Sequence, residues 1–222
     1  MLAGEAVVAI WNGIAPEARA QFYSWHVNEH MPERVGIPGF LRGRRYAALD
    51  ASTHPEFFTL YEADTIEVLK GSDYANRLND PTAATKATTA QFRSTSRALA
   101  RVLETRGPGA GGVMLTIRFD TDERSAGPLA TAVREVMRGP RLTGAHLCQA
   151  DQAASGVRSA ETRDRADVEV APNWFVLLEA TDASALTAID VEGALIAAGA
   201  RGPLQLGLYR LEYTRNKTRF AA

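Results

Sequence analysis

The sequence predicts an α+β protein made of two ferredoxin-like repeats, each with the element order β-α-β-β-α-β. Two observations predict this fold class. Elements in that order can be read along residues 1–106, and after a glycine-rich segment at residues 107–112 the order begins again. Repetition of one structural unit along a chain indicates internal duplication. We therefore expect a first repeat over residues 1–106, a linker over residues 107–112 and a second, degenerate repeat over residues 113–222.

The first repeat is predicted element by element. Runs of β-branched and aromatic residues bounded by turn residues predict its strands, which are residues 6–11, 40–46, 57–62 and 96–103. The first helix begins near Pro16, because proline suits the first turn of a helix. Pro32 disfavours helical geometry at the residue before it, so we expect this helix to end near His30. Further helices are expected over residues 65–78 and 82–90.

The second repeat follows the same order with weak sequence identity. Its strands are predicted over residues 113–119, 142–149, 174–179 and 204–213, with helices over 127–137 and 183–198. The closest internal match aligns FFTLYEA at residues 57–63 with WFVLLEA at residues 174–180. The main departure is the polar segment 152–171, which is longer than its counterpart and is expected to be a loop or a lid.

Composition excludes several classes of function. The 222 residues are 45% hydrophobic and carry a net charge of −1, so there is no basic excess for binding nucleic acid. The beginning of the sequence lacks the pattern of a signal peptide, and no apolar run approaches the ~20 residues that span a membrane. We expect a cytoplasmic protein without a membrane partner. Cys148 is the single cysteine, which excludes an internal disulfide.

Two neighbouring stretches of the first half resemble a known superfamily. Residues 25–34 read WHVNEHMPER, and residues 37–46 read IPGFLRGRRY. They are similar to the dimeric α+β barrel superfamily, and most similar to a bacterial branch related to the EthD-like proteins, in which a Glu-His-x-Pro-Glu stretch closes the first helix before a Pro-Gly-Phe turn. The resemblance covers most of residues 5–105.

The resemblance implies a fold more firmly than an activity. In that superfamily, two ferredoxin-like antiparallel sheets pack face to face into a barrel, usually from two chains. A tandem chain would supply both sheets itself, as an intramolecular α+β barrel, and could still pair as a homodimer. The superfamily includes cofactor-free monooxygenases, lactone isomerases, dehydratases and haem-binding enzymes. The first helix of the second half has no counterpart of the Glu-His pair, so we expect at most one functional site per chain.

The pattern His26-x-x-Glu29-His30 allows four interpretations, of which three are as follows. It matches the signature of inverted zinc metallopeptidases, but the small sheet domain and the expected helix end argue against a peptidase. Two histidines four residues apart could bind a metal together with a carboxylate. They could also have no function, with His26 at the surface and His30 capping the helix.

The interpretation we prefer is that His30 transfers protons. The negative end of a helix dipole and a neighbouring carboxylate both favour the imidazolium, which would place its titration near neutral pH. Glu29 could orient this ring or form an exposed salt bridge. Trp25 is expected in the core or as a stacking wall for a ligand, and His26 and Asn28 could bind that ligand or lie on the polar side of the helix.

The sheet supplies further candidate residues. Arg42 and Arg44 share one strand face by the two-residue period and could bind a carboxylate or phenolate, or form exposed salt bridges. Tyr61 aligns with Leu178 of the second half, so a hydroxyl stands where the fold accepts an aliphatic side chain. His146 is the histidine of the second half that could face the barrel.

Together these observations favour a small-molecule enzyme over a binding protein. The preferred hypothesis is an isomerase, a lyase or dehydratase, or a cofactor-free oxygenase that uses His30 on an apolar, aromatic or lactone-like metabolite, with no organic cofactor and no metal required. The alternatives that stay open are a non-catalytic ligand-binding or assembly protein, and a metal site at His26 and His30. If the preferred hypothesis holds, His30, Arg44 and Tyr61 should line one cavity.

Overall fold

The computed structural model describes residues 1–162, 165 and 168–218. Its strands are β1 (Ala6–Ile14), β2 (Phe40–Ala48), β3 (Phe57–Ala63), β4 (Phe92–Arg106), β5 (Val113–Asp120), β6 (Leu142–Ala150), β7 (Val168–Val170), β8 (Trp174–Ala180) and β9 (Arg201–Asn216). Its α-helices are α1 (Arg19–Trp25), α2 (Met31–Gly36), α3 (Ile66–Lys70), α4 (Ser72–Asn79), α5 (Ala83–Thr89), α6 (Ala126–Val136), α7 (Gln152–Ser155), α8 (Ala183–Thr187) and α9 (Val191–Ala197).

Eight antiparallel strands close into a barrel. Neighbours follow the order β1-β3-β2-β9-β5-β8-β6-β4, and pairing of β4 with β1 completes the ring. Within the first half the strand order is β4-β1-β3-β2, and within the second half it is β9-β5-β8-β6. Two junctions join the halves, β2 with β9 and β4 with β6. Closure leaves no free sheet edge on these eight strands, and the short β7 adds in parallel to β4.

Side chains fill the barrel in layers. Its centre is apolar, and Trp11 of β1 lies there between Phe58 and Phe175, with ring centroids 5.0 and 5.5 Å away. One end carries an ionic cluster in which Arg44 contacts Glu62 at 3.0 Å and Glu179 at 2.7 Å. The segment 107–112, predicted as a linker, closes this end, because the Gly111 amide donates a hydrogen bond of 2.9 Å to Glu179.

Helices cover the outward face of the barrel. In the first half, α1 and α2 are joined by a π-helix over His26–His30, so one continuous helix runs across residues 19–36. We call it the long helix. It lies so close to β2 that a Cβ on Gly43 would collide with the sulfur of Met31. Among the described residues, no helix is long and apolar enough to cross a membrane.

The long helix corrects the prediction that Pro32 ends it near His30. Proline clashes with the carbonyl four residues back and cannot donate to it. Here the turn before Pro32 is π-helical, and the Met31 amide donates to the His26 carbonyl, five residues back. The wider turn accommodates the proline ring, and the helix continues to Gly36.

The remaining elements follow the predicted order with three differences. The helices expected over residues 65–78 and 183–198 are each two helices: α3 and α4 are separated at Gly71, and α8 and α9 are separated at residues 188–190. The fourth and last strands are longer than predicted, because β4 and β9 each pair with both halves of the barrel. The segment 152–171, expected as a loop, contains α7 and β7.

Candidate functional site

A small cavity lies outside the barrel, between the long helix and the outward face of β1 and β3. Its volume is about 60 Å³, enough for a few water molecules. Phe22, Trp25 and Phe92 form aromatic walls, and His26, His30, Arg34 and Tyr61 contribute polar groups. We call this space the histidine cavity. It brings three predicted ligand-binding residues, Trp25, His26 and Tyr61, together with the predicted catalytic residue His30.

Both ring nitrogens of His26 are engaged. Its Nδ1 lies 3.3 Å from Nη1 of Arg45, and its Nε2 lies 3.4 Å from the hydroxyl of Tyr61. Because a guanidinium only donates, Nδ1 accepts and Nε2 carries the proton toward Tyr61. Burial, together with the charges of Arg45 and Arg34, lowers the pKa of His26 to about 3. His26 is therefore neutral over the physiological range.

His30 has an unused nitrogen. Its ring packs against Trp25 at a tilt of 33° with centroids 4.2 Å apart, and its buried Nδ1 has no hydrogen-bond partner among the described residues. The nearby carboxylate of Glu33 is 4.0 Å from this nitrogen. Burial lowers the pKa of His30 well below its usual value, and the cations Arg34 and Arg77 act in the same direction.

These surroundings correct the predicted titration of His30 near neutral pH. That prediction placed His30 at the negative end of a helix, but the long helix continues for six further residues, to Gly36. The dipole acts only at the last turn, so it does not favour the imidazolium here. Desolvation decides instead, and His30 is a neutral imidazole.

Tyr61 completes the polar side of the cavity. It is 2% exposed, and its hydroxyl faces His26. Burial raises the pKa of this phenol, so the hydroxyl keeps its proton. Its predicted counterpart Leu178 packs in the apolar core of the second half, which agrees with the view that the fold itself does not need a hydroxyl at this position.

Arg34 and Glu161 also belong to this site, although the sequence analysis did not single them out. Arg34 lines the cavity one turn beyond His30 and forms an ion pair of 2.5 Å with Glu161. The helix was expected to end near His30, so Arg34 was not assigned to it. In a helix that continues, residues four apart lie on the same face, which places Arg34 beside His30. No sequence signal identified Glu161, which precedes β7 in the chain and reaches the cavity only through the tertiary fold.

Arg44 does not line the histidine cavity, and this corrects the expected grouping of His30, Arg44 and Tyr61. Arg44 points into the barrel, where it pairs with Glu62 and Glu179. Its neighbour Arg45 is the arginine on the outward face. His146 also faces the interior, 3.1 Å from Glu179.

Two other candidate residues point away from the cavity. Glu29 was expected to orient His30, but its carboxylate accepts a hydrogen bond of 2.5 Å from Thr82. Asn28 is exposed and contacts Ser24 at 3.4 Å, within its own helix. The carboxylate beside His30 is therefore that of Glu33, three residues along the helix.

The geometry gives little support to a metal site at the two histidines. Within residues 1–162, 165 and 168–218, no three His, Cys, Asp or Glu side chains are grouped so that they could hold a metal ion. Arg45 also faces Nδ1 of His26 and would repel a cation there.

Comparison with known proteins yields a fold. No protein-family model and no curated protein sequence matches the chain. Among solved structures, an anthrone oxidase-like protein is similar over 98% of this chain and 95% of its own, with a TM-score of 0.63 and 12% identity. A protein provisionally named a monooxygenase, from Lactobacillus acidophilus NCFM, is similar over 96% of both chains, with a TM-score of 0.57 and 12% identity.

A mutant chlorite dismutase from Candidatus Nitrospira defluvii is also similar. It matches over 94% of this chain and 92% of its own, with a TM-score of 0.52 and 8% identity. The chain has the ferredoxin-like α+β barrel fold. At such low identities the similarity defines the architecture and not the chemistry.

Proposed function

We propose that the protein is a small-molecule enzyme that transfers protons in the histidine cavity, with His30 as the catalytic base. The observation that carries this proposal is the unpartnered Nδ1 of His30, a neutral imidazole nitrogen buried against aromatic walls. Buried polar atoms normally have partners, so an orphan atom in a cavity is a candidate for contact with a ligand.

The surrounding charges favour one kind of chemistry. Arg34 and Arg77 lower the pKa of His30, and the same cations would lower the pKa of an acidic C–H or O–H bound beside it. A neutral base facing such a substrate can accept its proton, while the cations stabilise the resulting carbanion or phenolate. The aromatic walls suit an apolar or aromatic substrate. This step needs no organic cofactor, because the chain supplies both the base and the cations.

The fate of the anion would decide the reaction class. Reprotonation at another atom gives an isomerase, loss of a leaving group gives a lyase or dehydratase, and reaction with dioxygen gives a cofactor-free oxygenase. The name of one structural neighbour, an anthrone oxidase-like protein, suggests anthrone as a probe with an acidic C–H group. Anthrone is larger than the cavity, so its binding also requires the cavity to open.

The test follows this C–H group directly. Anthrone is incubated with the protein in D₂O under nitrogen, and loss of the acidic proton is measured by NMR; oxygen uptake is then measured in air. The wild-type protein is expected to accelerate exchange at least about a hundredfold more than His30→Ala. His54→Ala, which removes an exposed histidine that does not line the histidine cavity, serves as the matched control. Equal exchange with His30→Ala would remove His30 from the mechanism.

One observation favours a second candidate function, non-catalytic ligand binding. The cavity holds only a few water molecules, and the low pKa of His30 makes it a weak base until a ligand or a movement changes its surroundings. A binding protein would bind anthrone without accelerating exchange, whereas the enzyme would do both. Calorimetric titration of the wild type, combined with the exchange measurement, separates the two functions.

We also propose a finer classification of the chain. The matching strand orders β4-β1-β3-β2 and β9-β5-β8-β6 support a tandem duplication, with the first repeat carrying the site. The stretches at residues 25–34 and 37–46 support a relationship to EthD-like proteins. A cytoplasmic location and pairing as a homodimer remain predictions from the sequence.

A further inference from the structure

The barrel has a second cavity at the end opposite its ionic cluster. It has a volume of about 720 Å³, and Ile14, Ser96, Arg118 and Gln205 contribute to its lining. The strand register places these groups together, because Ser96 lies opposite Trp11 and Arg118 lies opposite Gln205. A smaller adjoining pocket shares Ser96, Arg118 and Gln205 with it. We call this space the barrel mouth.

Arg118 is the unusual group at the barrel mouth. It is 7% exposed, its guanidinium lies 4.7 Å above the ring of Trp11, and its Nε is buried without a hydrogen-bond partner among the described residues. A hydrogen bond of 3.1 Å from the indole nitrogen to Thr116 fixes the Trp11 ring. One face of the guanidinium is therefore held by the Trp11 ring, and the side chain lines the cavity.

A comparison within the same barrel shows what Arg118 lacks. Arg44, at the other end, is compensated by Glu62 at 3.0 Å and Glu179 at 2.7 Å. Arg118 forms no ion pair within 4.0 Å in the part of the chain that the structure describes. A buried cation without a partner is costly, and burial lowers the pKa of Arg118. Glu169 acts on this guanidinium from beyond ion-pair distance, so an anion from solution would supply the missing direct partner.

A second unpartnered group faces the same space. Ser96 is 4% exposed, and its Oγ is buried without a hydrogen-bond partner among the described residues. A hydroxyl beside a guanidinium adds a donor for an oxyanion. Since both groups line the mouth, their unused donors can converge on one ligand.

We propose that the barrel mouth binds a small carboxylate with an apolar or aromatic body. The planar fork of Arg118 matches two carboxylate oxygens, and Ser96 donates a further hydrogen bond. Ile14, Ala48 and Pro55 provide apolar surface for the rest of the molecule. Glu169 also lines the mouth, and its charge disfavours a multiply charged ligand such as phosphate. The site is independent of the proposed function, because His30 lies on the outer face of the barrel wall.

The experiment uses benzoate as the probe and isothermal titration calorimetry as the measurement. The wild-type protein is expected to bind one benzoate, and Arg118→Met, which keeps the side-chain length but removes the charge, is expected to bind at least about tenfold more weakly. Arg138→Met is the matched control, because Arg138 is exposed and does not line the barrel mouth. This variant and His30→Ala should bind benzoate within about twofold of the wild type.

The outcomes separate the alternatives. Absence of saturable benzoate binding by the folded wild-type protein at millimolar concentrations overturns the proposal, as does equal affinity in Arg118→Met. Tighter binding of inorganic phosphate than of benzoate overturns the assigned ligand class. If Arg118→Met does not fold, Ser96→Ala and Arg118→Lys replace it, and unchanged benzoate affinity in both contradicts the site. Loss of binding in His30→Ala would instead place benzoate in the histidine cavity.

Discussion

Acidification should destabilise the protein through the buried imidazole of His26. The folded-state pKa of His26 is about 3, whereas an unfolded histidine titrates near 6.5. Between these values His26 binds a proton in the unfolded chain and not in the folded chain. The contribution of the neutral His26 to the free energy of unfolding is therefore fully present above pH 6.5 and is lost as the pH decreases toward 3. From the unfolded pKa down to pH 5 is 1.5 units, and at about 1.4 kcal/mol per unit the expected loss is about 2 kcal/mol.

Urea unfolding at pH 7 and pH 5 measures this loss, with the wild type compared with His26→Gln. The variant is less stable at both pH values, because Arg45 and Tyr61 lose their contacts with the imidazole. Its stability should nevertheless depend less on pH, by about 2 kcal/mol over this interval. His54→Gln, at an exposed histidine, should keep the wild-type dependence. The same pH dependence in wild type and His26→Gln would refute the assignment of a buried, neutral His26.

Three further predictions concern stability and reactivity. Glu179→Ala should lower the free energy of unfolding by about 3–5 kcal/mol, because it leaves Arg44 buried without one of its carboxylates. Glu135→Ala, which breaks an exposed pair with Arg138, should lower it by under about 1 kcal/mol. Equal losses in urea unfolding would contradict this ordering. Gly43→Ala should lower the free energy of unfolding by about 1–3 kcal/mol, because the added Cβ meets the sulfur of Met31. Gly127→Ala should not destabilise the protein, because no atom lies within 4 Å of the added Cβ. A thermal melt unchanged by Gly43→Ala would disprove the close contact. Cys148 is buried and its pKa is raised, so Ellman's reagent should modify it only when urea is added, and rapid modification of the native protein would be inconsistent with its place in the barrel.

The order of elements could be predicted from the sequence because each element carries a local signal. Runs of apolar and aromatic residues mark β1 and β3, and turn residues separate them from the helices. The continuation of the long helix could not be predicted in this way. The rule that Pro32 ends a helix is sound for an α-helix, and only the π-helical turn before it makes the exception.

The candidate site was predicted in part, for a physical reason that the strands make clear. The two-residue period correctly places Arg44 with Tyr46 on one face of β2, since both lie inside the barrel. It does not say which face is inside. A polar side chain such as Arg44 suggests an outward position, yet Glu62 and Glu179 make the interior favourable for it. Arg34 and Glu161 could not be grouped from the sequence, because they meet across 127 positions of the chain.

The same two-residue period explains how one thin barrel wall serves two separate cavities. On β2, Arg44 turns inward to the ionic cluster and Arg45 turns outward to His26. On β1, Trp11 turns inward beneath Arg118, whereas Ile10 turns outward to the histidine cavity. Adjacent side chains therefore face opposite sides of the barrel wall, and a shift of one residue in register would exchange their positions. Closure of the barrel prevents such a shift, because every strand of the ring is held by two neighbours. The fold thus contributes to the chemistry by fixing, for each pair of adjacent side chains, which one meets a ligand outside the barrel and which one lies within it.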